Sequence, residues 1–140
     1  MKNKIYNILF YIILSIFFIV NNLSAEEQFN FDVTNIEILE NGKIFKGKEK
    51  GIVTTNTGIK IIADTFEYNK NTNILISEGK VEVKDELNNY TILSDKITYI
   101  KNKELILAES NSKAVYGDGI TIDADNFNFN KLLNSLNANG

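Results

Sequence analysis

The sequence predicts an all-β fold built from a repeat of roughly thirty residues. The first observation is a pattern of small residue, Asp, any, apolar, any, aromatic, any, Lys, which begins at Ala63, Ser94 and Ala124. The second is that apolar residues alternate with polar ones on both sides of each Asp, as in half-buried strands. The third is that residues 26–140 contain no stretch with helical apolar spacing over a dozen residues. Together these observations favour short antiparallel strands over helices.

The strands before and after each repeated Asp have opposite parity. Before the first Asp the alternating residues are Ile59 and Ile61, and after it they are Phe66 and Tyr68. A phase slip of one residue is typical of a β-bulge or a sharp corner. The same slip recurs in the other two copies. We therefore predict that three residues are structural corners: Asp64, Asp95 and Asp125.

Each copy continues through a polar turn into a further strand. The third copy, Ser135-Leu136-Asn137, is apolar on one parity only, so Leu136 and the equivalent Leu75 and Ile106 are predicted to point inward. Small residues and then Gly79, Ser110 or Gly140 follow on that parity, which indicates a bend or close backbone approach. Earlier in the chain, residues 29–45 read as strand and residues 49–57 as a connection that holds a short strand. The last repeat stops before its Val-rich strand, so the sequence predicts a domain that is incomplete at its C-terminus.

The N-terminal segment has the layout of a secretory signal peptide. Two lysines precede an apolar run from Ile8 to Val20, and Ala25 lies before Glu26 and Glu27. We predict cleavage after Ala25, with residues 1–25 as signal peptide and residues 26–140 as the folded domain. The alternative is an uncleaved anchor, although the apolar run is short for a full membrane span.

The composition excludes several classes of function. Residues 26–140 contain thirteen lysines against eighteen acidic residues, and the chain has no Arg, His or Cys. An acidic surface argues against nucleic acid as a partner. Without Cys the chain can form no disulfide, and without His it lacks the commonest metal ligand. Without Arg it is poorly equipped for bidentate phosphate recognition. We expect no cofactor.

The repeated charged residues have functional alternatives. The three Asp residues could form a cation-binding ladder, but one carboxylate per repeat is sparse for a Ca²⁺ site. An enzyme using carboxylate pairs would need residues special to one place in the array, whereas these recur. Lys70, Lys101 and Lys131 recur in the turns after the strands. They could contact lipid phosphates or carboxylates, but we predict that they are solvated turn residues, since surface ion pairs are weak.

The repeat resembles that of the organic solvent tolerance (OstA-like) family. The match is best in the first copy, and it covers about residues 30–140. Ser110 departs from the family pattern where Gly is expected, and Leu133 departs where Thr is expected. The matching residues of the first copy are Ala63, Asp64, Phe66, Tyr68, Thr72, Leu75, Ser77, Gly79 and Val81.

The resemblance implies a fold and a role. Members of this family, which include the lipopolysaccharide transport protein LptA and the N-terminal periplasmic domain of LptD, are β-jelly-rolls with an open, V-shaped cross-section. It implies a periplasmic, non-enzymatic protein that carries lipopolysaccharide towards the outer membrane. It also implies stacking through edge strands with similar Lpt-type domains, next to the inner or the outer membrane. The residues do not separate an LptA-like from an LptC-like or LptD-like protein.

The apolar residues predicted to point inward are the candidates to line a lipid-binding groove. The alternative is that they are ordinary core residues of a structural solenoid or surface interaction module without a lipid ligand. These residues are Ile61, Phe66, Tyr68, Leu75, Val81, Ile92, Ile97, Tyr99, Ile106, Ile122, Phe127, Phe129 and Leu136.

Overall fold

The computed structural model describes residues 29–117 and 119–140, and the predicted signal peptide lies outside them. These residues form nine strands, two short 3₁₀ turns and no α-helix, which confirms the all-β prediction. No helix within the described ranges is long and apolar enough to cross a membrane. The strands are β1 (Phe29–Leu39), β2 (Ile44–Thr55), β3 (Ile59–Ala63), β4 (Thr65–Asn69), β5 (Ile74–Asp85), β6 (Tyr90–Ile100), β7 (Leu105–Tyr116), β8 (Ile120–Asn130) and β9 (Ser135–Asn139).

The strands form one antiparallel sheet in which each strand pairs with its neighbours in sequence, except that β3 and β4 do not pair with each other. The order is β1-β2-β3-β5-β6-β7-β8-β9, and β4 pairs with β2 and β5. Strands β3 and β4 are therefore two halves of one strand interrupted at Asp64. Every connection is a local hairpin, as the polar turns in the sequence predict.

A row of kinks divides this sheet into two walls. The register shifts in the middle of β1, β5, β6 and β7, in line with the break at Asp64. We call the halves on one side wall A: segments 35–39, 44–48, 65–69, 74–78, 96–100, 105–109, 126–130 and 135–139. We call the halves on the other side wall B: segments 29–33, 51–55, 59–63, 81–85, 90–94, 112–116 and 120–124.

Turn residues with left-handed backbone recur at the end of wall A that lies away from the kinks. We call this end of each wall, where the hairpin turns lie, its free edge. Asn73, Glu104 and Asn134 have φ between +46° and +54° and occupy equivalent turns. In the first of these turns, the side chain of Asn69 accepts a hydrogen bond from the backbone N–H of Asn71 at 2.9 Å. Short polar side chains that bond their own backbone are typical of such turns. The repeat seen in the sequence is thus also a repeat of turn geometry.

The start of the domain differs from the sequence prediction. Residues 49–57 were expected to be a connection with a short strand, but β2 runs unbroken to Thr55 and pairs with both β1 and β3. Its glycines lack side chains where neighbours pack. A Cβ on Gly51 would lie 2.3 Å from Cγ1 of Val33. The glycines of β2 therefore reflect close packing and not a loop.

Ser110 takes the place of glycine at a corner, and this substitution is expected to cost stability. Its φ is +69°, in the region where a Cβ is unfavourable. Because the side chain is exposed, Ser110→Gly should relieve this strain and raise the free energy of unfolding by about 1 kcal/mol. Urea unfolding followed by tyrosine fluorescence would measure the change. Ser135→Gly, in extended strand β9, should have the opposite sign, and a loss of stability in Ser110→Gly would contradict the prediction.

Candidate functional site

The space between the two walls is the candidate site, and cross-strand rows of apolar residues line it. Direct register partners share one face of a sheet. One row on wall A consists of Phe45, Tyr68, Leu75, Tyr99, Ile106, Phe129 and Leu136. A second row on wall A consists of Phe66, Ser77, Ile97, Ala108, Phe127 and Ala138. A row on wall B consists of Val53, Ile61, Val83, Ile92, Ala114 and Ile122.

All thirteen candidate lining residues belong to these rows or, in the case of Val81, to a parallel position on wall B. Eleven of them are buried in the core that the two walls share. The other two lie at the β8–β9 end, where Leu136 is half-buried and Ile122 is 41% exposed. The side chains of the protein itself therefore fill the middle of the space, and the space opens towards β8.

Aromatic contacts join the walls along their free edges. The ring of Phe29 on wall B lies edge-on to Tyr68 and Tyr99 on wall A, with centroid distances of 4.8 and 5.7 Å. The ring of Tyr90 on wall B lies 4.3 Å from that of Phe129 on wall A. Such pairs add about 0.5–1.5 kcal/mol each beyond the area they bury.

A partly open apolar pocket of about 230 Å³ lies at the β8 end of the space. Its lining includes three of the candidate residues, Ile92, Phe129 and Leu136, together with Tyr90 and Ala114. The neighbouring residues Tyr116 and Ile120 are 52% and 64% exposed. An unfilled apolar pocket next to exposed apolar side chains suits the end of an acyl chain.

The three repeated Asp residues lie outside this space. Asp64, Asp95 and Asp125 are exposed, and each lies beside a kink. Asp64 faces Gly79, where an added Cβ would lie 2.6 Å from its Oδ2, and Asp125 faces Gly140 in the same way. Within residues 29–117 and 119–140, no group of three or more acidic residues is arranged to hold a metal ion.

A polar cluster lies where the free edges of the walls meet, a line that we call the mouth. Asp85 is 0% exposed, and its carboxylate accepts hydrogen bonds from the backbone and side-chain N–H groups of Asn88 at 3.1 and 2.7 Å. The ammonium group of Lys131, from the other wall, lies 3.4 Å from the same carboxylate. Burial raises the pKa of Asp85, but these hydrogen bonds and the Lys131 charge outweigh it and hold the pKa below its ordinary value.

A second ion pair lies beside the first. Lys101 pairs with Glu104, which also accepts a hydrogen bond from the Tyr99 hydroxyl at 2.6 Å. Lys101 is only 8% exposed. Burial, together with the Glu104 carboxylate, raises the pKa of Tyr99 well above its ordinary value. The Tyr99 hydroxyl therefore stays protonated and can continue to donate to Glu104.

Sequence reasoning missed this cluster. The sequence analysis predicts that Lys101 and Lys131 are solvated turn residues, but they continue the inward parity of the strands before them, Ile97–Tyr99 and Phe127–Phe129. Asp85 likewise continues the parity of Val81 and Val83. Extending the period-two pattern by one position would have indicated that all three point inward.

Comparison with known proteins gives a fold. No family model matches the chain, and no curated protein matches it either. The chain is similar in structure to LptH from Pseudomonas aeruginosa, which its crystal structure describes as the LptA-homologous periplasmic component of the conserved lipopolysaccharide transport device. The TM-score is 0.68 at 17% sequence identity, and the match covers 81% of this chain and 82% of that chain. The kinked antiparallel sheet described above is therefore the fold that LptH also has.

Proposed function

We propose that this chain is a periplasmic carrier of lipopolysaccharide, which shields lipid A acyl chains between walls A and B during delivery to the outer membrane. The observation that carries the proposal is the fold shared with LptH. The apolar pocket and the rows of apolar side chains support it. In this proposal residues 1–25 direct export, and the three Asp residues form corners and take no part in chemistry.

The energetics favour an acyl chain as the ligand. Each methylene group moved from water into the apolar space contributes roughly 0.8 kcal/mol. The pocket of about 230 Å³ is smaller than the roughly 300–1,000 Å³ that is usual for small-molecule sites. It therefore accommodates only the end of a chain, and deeper binding requires wall A and wall B to separate.

The strand order supports a role in stacking. Among the described residues, β1 lies at one end of the sheet and pairs with β2 alone. An unpaired strand edge invites addition of a strand from another chain. We infer that similar Lpt-type domains, near the periplasmic face of the inner or the outer membrane, add at the edge of β1.

One observation favours a second candidate, a structural interaction module without a lipid ligand. The interior is already filled in its middle by the protein's own side chains, among them Ile97, Tyr99 and Ile106, all 0% exposed. A module of this kind would use its edges for partners and keep its walls together permanently.

Native mass spectrometry distinguishes the two candidates. The full chain, expressed in a bacterium that makes lipopolysaccharide, should purify with bound glycolipid, and added lipopolysaccharide should raise its melting temperature. Ala114→Phe, which fills the pocket, should raise the dissociation constant for added lipopolysaccharide about tenfold, since the loss of two methylene contacts is about 1.6 kcal/mol.

The matched control is Leu93→Phe, because Leu93 lies on the outer face of β6 between the inward residues Ile92 and Ser94. It should bind glycolipid like the unchanged chain. The absence of both glycolipid and thermal protection would reject the carrier and favour the interaction module.

A further inference from the structure

Two lysines cross the mouth and join the free edges of the walls. Lys101 and Lys131 lie in turns at the edge of wall A, and both reach Thr57, in a turn at the edge of wall B. The Lys101 ammonium lies 3.5 Å from the Thr57 hydroxyl oxygen, and the Lys131 ammonium donates to the Thr57 carbonyl oxygen at 2.7 Å. Lys131 also pairs with Asp85 of wall B. The mouth is therefore closed by polar contacts between residues 44 and 74 positions apart in the chain.

The backbone holds these lysines in place for the crossing. The N–H of Lys101 donates to the carbonyl of Asn73 at 3.0 Å, and that of Lys131 donates to the carbonyl of Glu104 at 2.9 Å. Each lysine is thus tied to the preceding turn of the same edge. Only the lysine side chains, and not their backbone, span the gap, so their release would break no strand pairing.

The equivalent lysine of the first copy does not cross. Lys70 has the same backbone bond, to the carbonyl of Lys43 at 2.9 Å, but its ammonium lies 4.6 Å above the ring of Phe45 on its own wall. The repeat therefore does not itself require a crossing lysine. Of the three repeated lysines, those of the second and third copies make the crossings.

Polar closure is a costly way to seal an apolar space. Buried ion pairs often stabilise a fold no more than apolar residues of the same volume, because both charges lose their hydration. The charged groups of a polar closure regain their hydration when the walls separate. The free-energy cost of opening is therefore lower than for a closure that exposes only apolar side chains. A polar closure suits a mouth that opens.

We propose that Lys101 and Lys131 form a latch that holds the mouth shut, and that release of this latch admits the acyl chain to the space between the walls. The proposal rests on the proposed function for the identity of the ligand. Asp85, which Lys131 contacts, is the register partner of Tyr90, and Tyr90 lines the pocket, so the pocket lies beside the Lys131 end of the latch.

The chain has no cysteine, so single introduced thiols can report on opening. Val83→Cys places a thiol on the inner face of wall B, two residues from Asp85, and Ser77→Cys places one near the kinks; both positions are 0% exposed. In the Val83→Cys chain, adding Lys101→Met and Lys131→Met should speed labelling by a thiol reagent about tenfold, the effect expected for loss of a charged hydrogen bond. Lys70→Met is the matched control and should leave the rate unchanged.

The Ser77→Cys chain separates opening from general destabilisation. Opening at the mouth should raise the labelling rate of Val83→Cys more than that of Ser77→Cys. Unchanged rates, or equal rises at both positions, would overturn the latch.

Uptake of lipid A-containing glycolipid separates the latch from the proposed function. The double Met variant should take up glycolipid faster than the unchanged chain. Faster labelling without uptake by either chain would reject the carrier function and the acyl ligand but keep the latch as an opening device. Uptake at equal rates by both chains would overturn the latch and leave the carrier function intact.

Discussion

Gly79→Ala is expected to lower the free energy of unfolding by about 3 kcal/mol, because the change adds a left-handed backbone penalty to a clash at the kink. Gly79 has φ +83°, and a Cβ there would lie 2.6 Å from Oδ2 and 2.8 Å from Cβ of Asp64. The backbone of Asp64 cannot easily move away, since its N–H is bonded to the carbonyls of Glu78 and Gly79, both at 3.1 Å. Urea unfolding followed by circular dichroism would measure the loss.

The matched control for this prediction is Gly117→Ala. Gly117 also has a positive φ, of +58°, but nothing lies within 4 Å of its added Cβ. Its loss should be only about 1 kcal/mol, the backbone penalty alone. Asp64→Gly should partly rescue Gly79→Ala, and a double variant with strictly additive losses would refute the close approach at this corner.

Leu75→Ala is expected to lower the free energy of unfolding by about 2–5 kcal/mol. Leu75 is 0% exposed and lies in the wall A row between Tyr68 and Tyr99. Both tyrosine rings contact Phe29 of wall B, so a cavity at Leu75 removes support from the contact that joins the walls. Thermal and urea unfolding of the variant would give the magnitude.

Leu132→Ala tests the same chemical change where no cavity forms. Leu132 lies in the β8–β9 turn and is 73% exposed. Its replacement should change stability by less than about 0.5 kcal/mol, as is usual for surface positions. Similar losses in the two variants would mean that Leu75 is not part of a cooperative core.

Most of the fold could be predicted because it is locally encoded. The period-two pattern of Ile59 and Ile61, followed by the shifted pattern of Phe66 and Tyr68, specifies two strand halves that face inward with a break between them. The structure has both pairs buried on the two sides of the break at Asp64. The exception is β2, whose Lys- and Gly-rich sequence contains little alternation and becomes a strand because β1 and β3 pair with it.

The sequence predicts which face of each strand lines the candidate site, but not the shape of the space between the walls. Alternation placed Ile97 and Tyr99 on the inner side, but it could not indicate how far wall A and wall B lie apart. That distance depends on cross-wall contacts such as Phe29 with Tyr99 and Tyr90 with Phe129. Whether the lining residues meet a ligand stays a prediction.

The sequence by itself determined the strands of the three repeats, their inward faces and the kinks at the repeated Asp residues, because all three follow from patterns among residues a few positions apart. Tertiary structure decided that the walls meet, that a pocket stays open at the β8 end, and that Lys101 and Lys131 close the mouth on Thr57. The physical reason is that these features depend on contacts between residues far apart in the chain, such as the 44 and 74 positions that separate Thr57 from the two lysines, and the curvature of the whole sheet, not any local pattern, brings such residues together.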